Sequence, residues 1–208
     1  MVRRLFQAAT RRNEDMFSQL LQDDPLLLDR VMSECTGKDT PLHLGALYGH
    51  VGLVREMLSR KLDLSRELNS QGLSPLHLAS VRGHVEVVKE ILSKDADACF
   101  VRDRDGMIPL HVAAFRGRVE VLEELVNANK STAFLLTESG EPILHLCAKN
   151  NKFKALKKLV ELVQDDEFVK LKDSDDNTIL HLLSDKNQSE DLPEHGFAEQ
   201  LQNSKLQT

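Results

Sequence analysis

A four-residue motif that ends in histidine returns along this chain at almost constant spacing. It reads Thr-Pro-Leu-His, Ser-Pro-Leu-His, Ile-Pro-Leu-His, Pro-Ile-Leu-His and Thr-Ile-Leu-His in chain order. Its histidines stand at positions 43, 77, 111, 145 and 181, so they are separated by 34, 34, 34 and 36 residues. A fixed period of this length indicates a row of small structural units that bury their apolar faces against their neighbours.

The residues around the motif predict a pair of helices in each unit. Thr40 is a suitable N-cap, because its hydroxyl accepts a hydrogen bond from an amide that the first helical turn leaves unpaired. Pro41 fits the first helical position. Gly49 predicts the end of this first helix, since glycine adopts the left-handed conformation found there. Apolar pairs four residues apart then predict a second, antiparallel helix, and a polar turn closes the unit.

Composition limits both the core and the function. Apolar residues make up 41% of the chain and aromatic residues only 4%, so the predicted core consists of Leu, Val, Ile and Ala. A net charge of −6 argues against a nucleic-acid binder, which usually carries a basic face. No apolar stretch reaches the ~18 residues of a membrane span. We therefore expect a soluble, cytoplasmic chain that does not insert into membranes by itself.

The repeated motif and its flanks resemble the ankyrin repeat, which has a Thr-Pro-Leu-His signature and a period of ~33 residues. The best match runs from Gly72 to Ala79 and continues through Gly83 to Val88. The resemblance covers roughly residues 5 to 183. It implies an all-α ankyrin-repeat solenoid, built from helix-turn-helix units with short hairpin-like turns.

The period divides the chain into about five units and a partial one. The first unit lacks the motif and is expected to be a degenerate cap, because the outer face of a terminal repeat meets water. The predicted ankyrin-repeat domain covers residues 1–183, and residues 184–208 are predicted to be a mostly disordered tail. The expected units are 1–34, 35–68, 69–102, 103–136 and 137–172, with a partial unit at 173–183.

We find no residue pattern that predicts catalysis, a cofactor or a metal site. The motif histidines occur once per unit, so they do not converge on one ion. The resemblance implies a structural role instead, in which each ring bonds to nearby backbone in the turn. Cys35, Cys99 and Cys147 lie far apart and are expected to be free, buried thiols. The chain is therefore predicted not to be an enzyme.

The resemblance also implies where a partner would bind, namely the concave side formed by the turn tips and the ends of the first helices. Aromatic and arginine residues dominate interface energetics, so those at these positions are candidate hot spots. Three of the arginines form a modest basic patch, which predicts a partner with an acidic or extended segment. The tips lie around 36–39, 70–73, 104–107 and 138–141. The predicted partner-binding residues are Leu47, Tyr48, Val81, Arg82, Arg104, Phe115, Arg116, Lys149 and Asn150.

Two functions follow from this interpretation. The first is a monomeric protein-protein interaction scaffold or adaptor, acting in signalling and binding no nucleic acid. The second rests on segments 5–9, 24–28 and 177–182, which are similar to plant ankyrin-repeat proteins of defence and stress signalling. In that family several membrane spans follow the solenoid, so this chain would be the cytosolic portion. A longer form would then associate with the plasma membrane.

Overall fold

The computed structural model describes residues 1–35 and 38–187, which form a row of short helices. This part contains no strand, only an isolated antiparallel bridge between Lys172 and Thr178. The predicted all-α architecture is confirmed. Short 3₁₀ helices lie at Leu62–Arg66, Ala96–Phe100 and Lys130–Phe134. The α-helices are α1 (Val2–Arg11), α2 (Glu14–Asp23), α3 (Leu27–Glu34), α4 (Pro41–Tyr48), α5 (Val51–Arg60), α6 (Pro75–Arg82), α7 (Val85–Lys94), α8 (Pro109–Arg116), α9 (Val119–Ala128), α10 (Ile143–Lys149), α11 (Phe153–Val163), α12 (Asp166–Lys170) and α13 (Ile179–Asn187).

The helices stack in two layers with the core between them. In the layer of first helices, α4 packs between α1 and α6, and α8, α10 and α13 continue the row. In the layer of second helices, α2, α5, α7, α9 and α11 follow one another. The leucines of the motif, such as Leu42, Leu76 and Leu110, are completely buried between the layers. Each unit therefore hides its apolar face against the next, as the period of the sequence predicts.

The motif histidines connect each unit with the following one. The backbone N–H of Thr40 donates to His43 Nδ1 at 3.2 Å, and His43 Nε2 lies 3.0 Å from the Leu73 carbonyl. His77 repeats this arrangement in the next unit, with its Nε2 3.0 Å from the Met107 carbonyl. Since Nδ1 accepts and Nε2 donates, the imidazole is neutral and carries its proton on Nε2. The structural role that the resemblance implies for these histidines is present in the structure.

The fourth motif lacks one of these bonds because its proline is displaced by one position. Pro142 is the N-cap of α10 and offers neither an N–H nor a hydroxyl. His145 Nδ1 is consequently buried without a hydrogen-bond partner, although Nε2 still lies 2.8 Å from the Asn177 carbonyl. A buried acceptor without a partner costs free energy relative to one that is bonded.

Replacing this proline is expected to stabilise the fold. Pro142→Thr provides an N–H and a hydroxyl for His145 Nδ1, a gain of ~1–3 kcal/mol that exceeds the ~0.4–1 kcal/mol lost with the proline's restriction of the unfolded chain. We expect the free energy of unfolding in urea to rise by about 1 kcal/mol. Pro142→Ala is the matched control, because it removes the same proline and supplies the N–H for His145 Nδ1 but no hydroxyl, and it is expected to stabilise less than Pro142→Thr. A Pro142→Thr variant no more stable than the parent protein would contradict this account.

Left-handed residues end helices and shape turns even where glycine is missing. Gly49 ends α4 with φ of 77°, and Arg12 ends α1 in the same way with φ of 55°. Asn151, which replaces this glycine in the fourth motif's unit, has φ of 56°. Asn151 therefore tolerates the left-handed conformation, as predicted from its short polar side chain. Asp176 takes the place of a turn glycine with φ of 65°.

The turn predicted after each second helix is wrong in one respect, because a short additional helix lies there. It is a 3₁₀ helix in three units, while α3 and α12 fill the place in the first and fifth units. These segments bury side chains such as Leu64, Ala98 and Phe168, which gives them a packing role that a polar turn lacks. The buried positions Ser65, Cys99 and Ala133 also follow the period of 34 residues.

The described chain continues slightly beyond the predicted domain boundary. Helix α13 includes residues 184–187, which were predicted to begin the tail. The remainder of that predicted tail, 188–208, lies outside the described residues, as does part of the predicted tip at 36–39. The predicted unit boundaries stay predictions.

Candidate functional site

A groove of about 430 Å³ lies between the ends of the first helices and a turn tip. It brings together four of the predicted partner-binding residues, which come from three successive units: Leu47, Val81, Arg82 and Arg116. Gln71 and Leu73 of the predicted tip 70–73 form part of its wall. The remaining lining residues are Leu78 and Arg118.

Local sequence explains why these side chains share one edge of the row. Gly49, Gly83 and Gly117 end the first helices in the left-handed conformation, so equivalent helices stop at equivalent positions. Arg82 and Arg116 occupy the last turns of α6 and α8, where a cation is favoured by the helix dipole. Both arginine side chains are exposed.

At the base of the groove, backbone carbonyls at the helix ends accept hydrogen bonds from the next unit. His84 Nε2 lies 3.1 Å from the Leu47 carbonyl, and Arg118 Nε donates to the Val81 carbonyl at 3.0 Å. Arg118 was not among the predicted site residues. The available signal was that Arg118 replaces the histidine that precedes the second helix in the two units before it. The substitution adds a permanent positive charge to the groove.

The groove is basic, and its arginines have no acidic partner among the described residues. Within residues 1–35 and 38–187, no carboxylate lies within 4.0 Å of Arg82, Arg116 or Arg118. Four arginines elsewhere do pair with a carboxylate, as in the contact of 2.9 Å between Arg55 and Glu90. None of the described residues that line the groove is acidic. A guanidinium offers parallel N–H groups that match a carboxylate, so the groove suits acidic groups next to apolar ones.

Two predicted aromatic residues are exposed beside groove residues. Tyr48 is 49% exposed and stacks on His50, with ring centroids 5.9 Å apart. Phe115 is 39% exposed, and the Arg116 guanidinium lies 5.5 Å from the centre of its ring. Exposed rings of this kind supply large contact areas at low entropic cost.

The other three predicted residues do not line this groove and instead make contacts within the fold. Arg104 donates to the Ser70 carbonyl of the neighbouring tip. Asn150 donates from its side chain to the Leu146 carbonyl at 2.8 Å. Lys149 lies 2.7 Å from Glu141, and its hydrogen bond to this carboxylate raises the pKa of the lysine.

Two of the buried thiols have raised pKa values. Burial raises the pKa of the Cys147 thiol to about 12 and that of Cys99 to about 11, so both stay protonated near neutral pH. In the portion that the structure describes, no three His, Cys, Asp or Glu side chains assemble as metal ligands would.

Among the described helices, none combines the length with the apolarity that crossing a bilayer requires.

Comparison with known proteins identifies the family. The family described as "Ankyrin repeats (3 copies)" matches residues 5–100, 62–133, 95–166 and 110–192, which together span most of the chain. A search of curated proteins finds no match. The family match, the motif at a period of 34 residues and the two stacked layers of helices agree. The chain belongs to the ankyrin-repeat family.

Proposed function

We propose that this protein is an interaction scaffold whose groove binds an extended, acidic segment of a partner protein. Ankyrin repeats support a role in protein-protein interaction in general. One observation carries the finer proposal: three arginines without carboxylate partners among the described residues line a groove next to apolar Leu47 and Val81.

The shape of the groove favours an extended chain over a folded domain. It lies between helix ends on one side and a turn tip on the other, and its lining comes from units that are adjacent in the stack. A segment lying across several units would place carboxylates on Arg82 and Arg116 and apolar side chains against Leu47 and Val81. Tyr48 and Phe115 would extend the contact to either side, since aromatic residues are frequent hot spots.

The other parts of the functional prediction concern catalysis, membrane spans, signalling, location and oligomeric state. The ankyrin-repeat fold is typical of interaction modules that are not enzymes. The family match concerns the repeats alone, and it gives no support to the resemblance to plant proteins with membrane spans. A role in signalling, a cytoplasmic location and a monomeric state stay predictions.

The test is the affinity of a captured partner for variants of the groove. Partners are captured with the full chain, identified by mass spectrometry and titrated against purified protein by calorimetry. The double variant Arg82→Ala, Arg116→Ala is expected to weaken binding at least about tenfold, because it removes two exposed cations that would pair with the partner's carboxylates. Higher salt is expected to reduce the difference between variant and parent.

The matched control replaces two exposed arginines outside the groove, Arg3 and Arg4 on α1, by alanine. This variant has the same net charge as the groove variant and is expected to bind like the parent. Circular dichroism and thermal unfolding establish that both variants are folded. Equal losses in the two variants would indicate a non-specific charge effect, and no loss in the groove variant would place the binding surface elsewhere.

A further inference from the structure

Residues 188–208 of this chain have the chemistry that the groove accepts. They carry four carboxylate residues against a single lysine, Lys205. Apolar residues, including Phe197 and Leu201, lie among the acidic ones. The groove offers the complementary set, three arginines and an apolar wall, with no acidic lining residue. The four carboxylates belong to Glu190, Asp191, Glu194 and Glu199.

The chain also enters this segment at the edge of the stack where the groove lies. Helix α13 is the first helix of the last unit, since it contains the motif histidine His181. Repeated units stack in the same orientation, so the C-terminal end of α13 lies on the same edge as the ends of α6 and α8. Those ends carry Arg82 and Arg116. Residue 188 follows directly from the end of α13 at Asn187.

Residues 188–208 are long enough to reach the groove from the end of α13. Three helix contacts, from α13 to α10, from α10 to α8 and from α8 to α6, separate Asn187 from the helix that carries Arg82. At 8–10 Å per contact between helix axes, the path is about 30 Å. Residues 188–208 span up to about 70 Å when extended. A tether of this length gives an effective concentration on the order of millimolar, so even a weak site is occupied.

We propose that the groove binds the chain's own C-terminal segment, residues 188–208, and that a partner must displace this segment. The proposal rests on the proposed function, because it requires the groove to be a binding surface. It goes further by naming an occupant within the same molecule. The groove would then be autoinhibited, and the apparent affinity for a partner would be reduced by the fraction of molecules in which the segment is bound.

The test is paramagnetic broadening in the full chain. A nitroxide is attached to Ser204→Cys in a Cys35→Ser background, since Cys35 lines a surface pocket whereas Cys99 and Cys147 are completely buried. Amide signals of Val81 and Arg82 are expected to lose about half or more of their intensity relative to the reduced spin label. Signals of α1, which lies two helix contacts from α6 along the stack, are expected to lose less intensity than those of Val81 and Arg82. Unaffected groove signals, or broadening centred on another face, would overturn the proposal.

Two variants and a mixing experiment complete the test. Neutralising the segment by Glu190→Gln, Asp191→Asn, Glu194→Gln and Glu199→Gln is expected to abolish the broadening. The double variant Arg82→Gln, Arg116→Gln is also expected to abolish the broadening, because it removes the cations that would bind the segment. A mixture of isotope-labelled protein without nitroxide and nitroxide-labelled protein without isotope is expected to show no broadening. Broadening in this mixture would mean that a second copy supplies the segment, which would also overturn the proposal.

The outcome is distinguishable from a failure of the proposed function. Neutralising the segment is expected to raise the affinity of a captured partner, since a competitor is removed. If broadening is absent while the groove arginines still contribute to partner binding, only the tail proposal fails. If broadening is present while the groove arginines do not affect the partner, the proposed function fails.

Discussion

Acidification from about pH 7 to about pH 4 is expected to lower the free energy of unfolding by at least about 3 kcal/mol. The reason is the row of buried motif histidines. Burial lowers the pKa of His43, His77 and His145, and it lowers the pKa of His111 to about 4. Each ring is buried between two units and, except at Pro142, accepts a backbone N–H at Nδ1. A proton on Nδ1 would face that N–H and break the bond.

The sign of the effect follows from which state takes up protons first. The imidazole of an unfolded chain has a pKa of ~6.5, so the unfolded state binds protons before the folded state as the pH falls. The free energy of unfolding is therefore unaffected by protonation of these histidines above about pH 6.5. It falls as the pH drops from that value to the pKa of the histidine in the folded state. For His111 this lower limit is about 4. The difference between the unfolded and folded pKa values of His111 corresponds to about 3 kcal/mol of unfolding free energy.

The measurement is urea unfolding followed by circular dichroism at several pH values. His111→Gln removes one titrating ring, so the loss of stability between pH 7 and pH 4 is expected to shrink by about 3 kcal/mol. His181→Gln is the matched control, because this motif histidine is exposed in the last unit. Carboxylates titrate in all three proteins, so their contribution cancels in the comparison. A His111→Gln variant with the same pH profile as the parent would contradict the explanation.

The recurring motif made most of the fold predictable. Thr40, Pro41 and Gly49 fix the start and end of α4, because an N-cap, a first-turn proline and a left-handed glycine all act within a few residues. The same local rules apply wherever the motif returns. The short helices after the second helices were missed, since their buried residues include Ser65, Cys99 and Ala133, which do not form an apolar pattern.

Contacts between units were harder to predict than helices. Asp95 is buried and accepts a hydrogen bond from Arg66 Nε at 2.7 Å, which lowers the pKa of the carboxyl group. Neither residue belongs to the motif, and the contact joins two different units. Arg118 was missed for a similar reason. Its partner is the Val81 carbonyl of the preceding unit, a contact that depends on stacking and not on spacing along one helix.

The candidate site was predictable only as an edge of the stack. The positions at the ends of the first helices follow from the repeat, and four of them line the groove. Whether a charged residue there is free or engaged depends on neighbours that vary between units. Lys149 lies 2.7 Å from Glu141, whereas Arg82 and Arg116 have no carboxylate within 4.0 Å in the described part of the chain. From the sequence alone, all three cations are equivalent candidates for binding a partner. The structure shows that Lys149 is already paired among the described residues, whereas Arg82 and Arg116 are not.

Removing one motif leucine from the middle of the stack is expected to cost far more stability than removing its counterpart at the end. Leu110 is completely buried on α8, which packs between α6 and α10. Leu180 occupies the same motif position on α13, is only partly buried and packs against α10 at the end of the described chain. Leu110→Ala is expected to lower the free energy of unfolding by about 3–5 kcal/mol, as for other fully buried leucines. Leu180→Ala is expected to cost less than half of that, because its side chain loses less buried surface.

The difference between the two variants tests whether stability is shared between neighbouring units. In a stack held together by contacts between neighbours, a cavity at Leu110 weakens the contacts of α8 on both sides. The loss is a large part of the ~5–15 kcal/mol of stability of an average protein, so Leu110→Ala can also uncouple the two halves of the stack. Urea unfolding followed by hydrogen exchange measures both effects, since exchange reports which units open separately. Equal losses for Leu110→Ala and Leu180→Ala would mean that each unit is stable by itself, contrary to the stacked arrangement of the core.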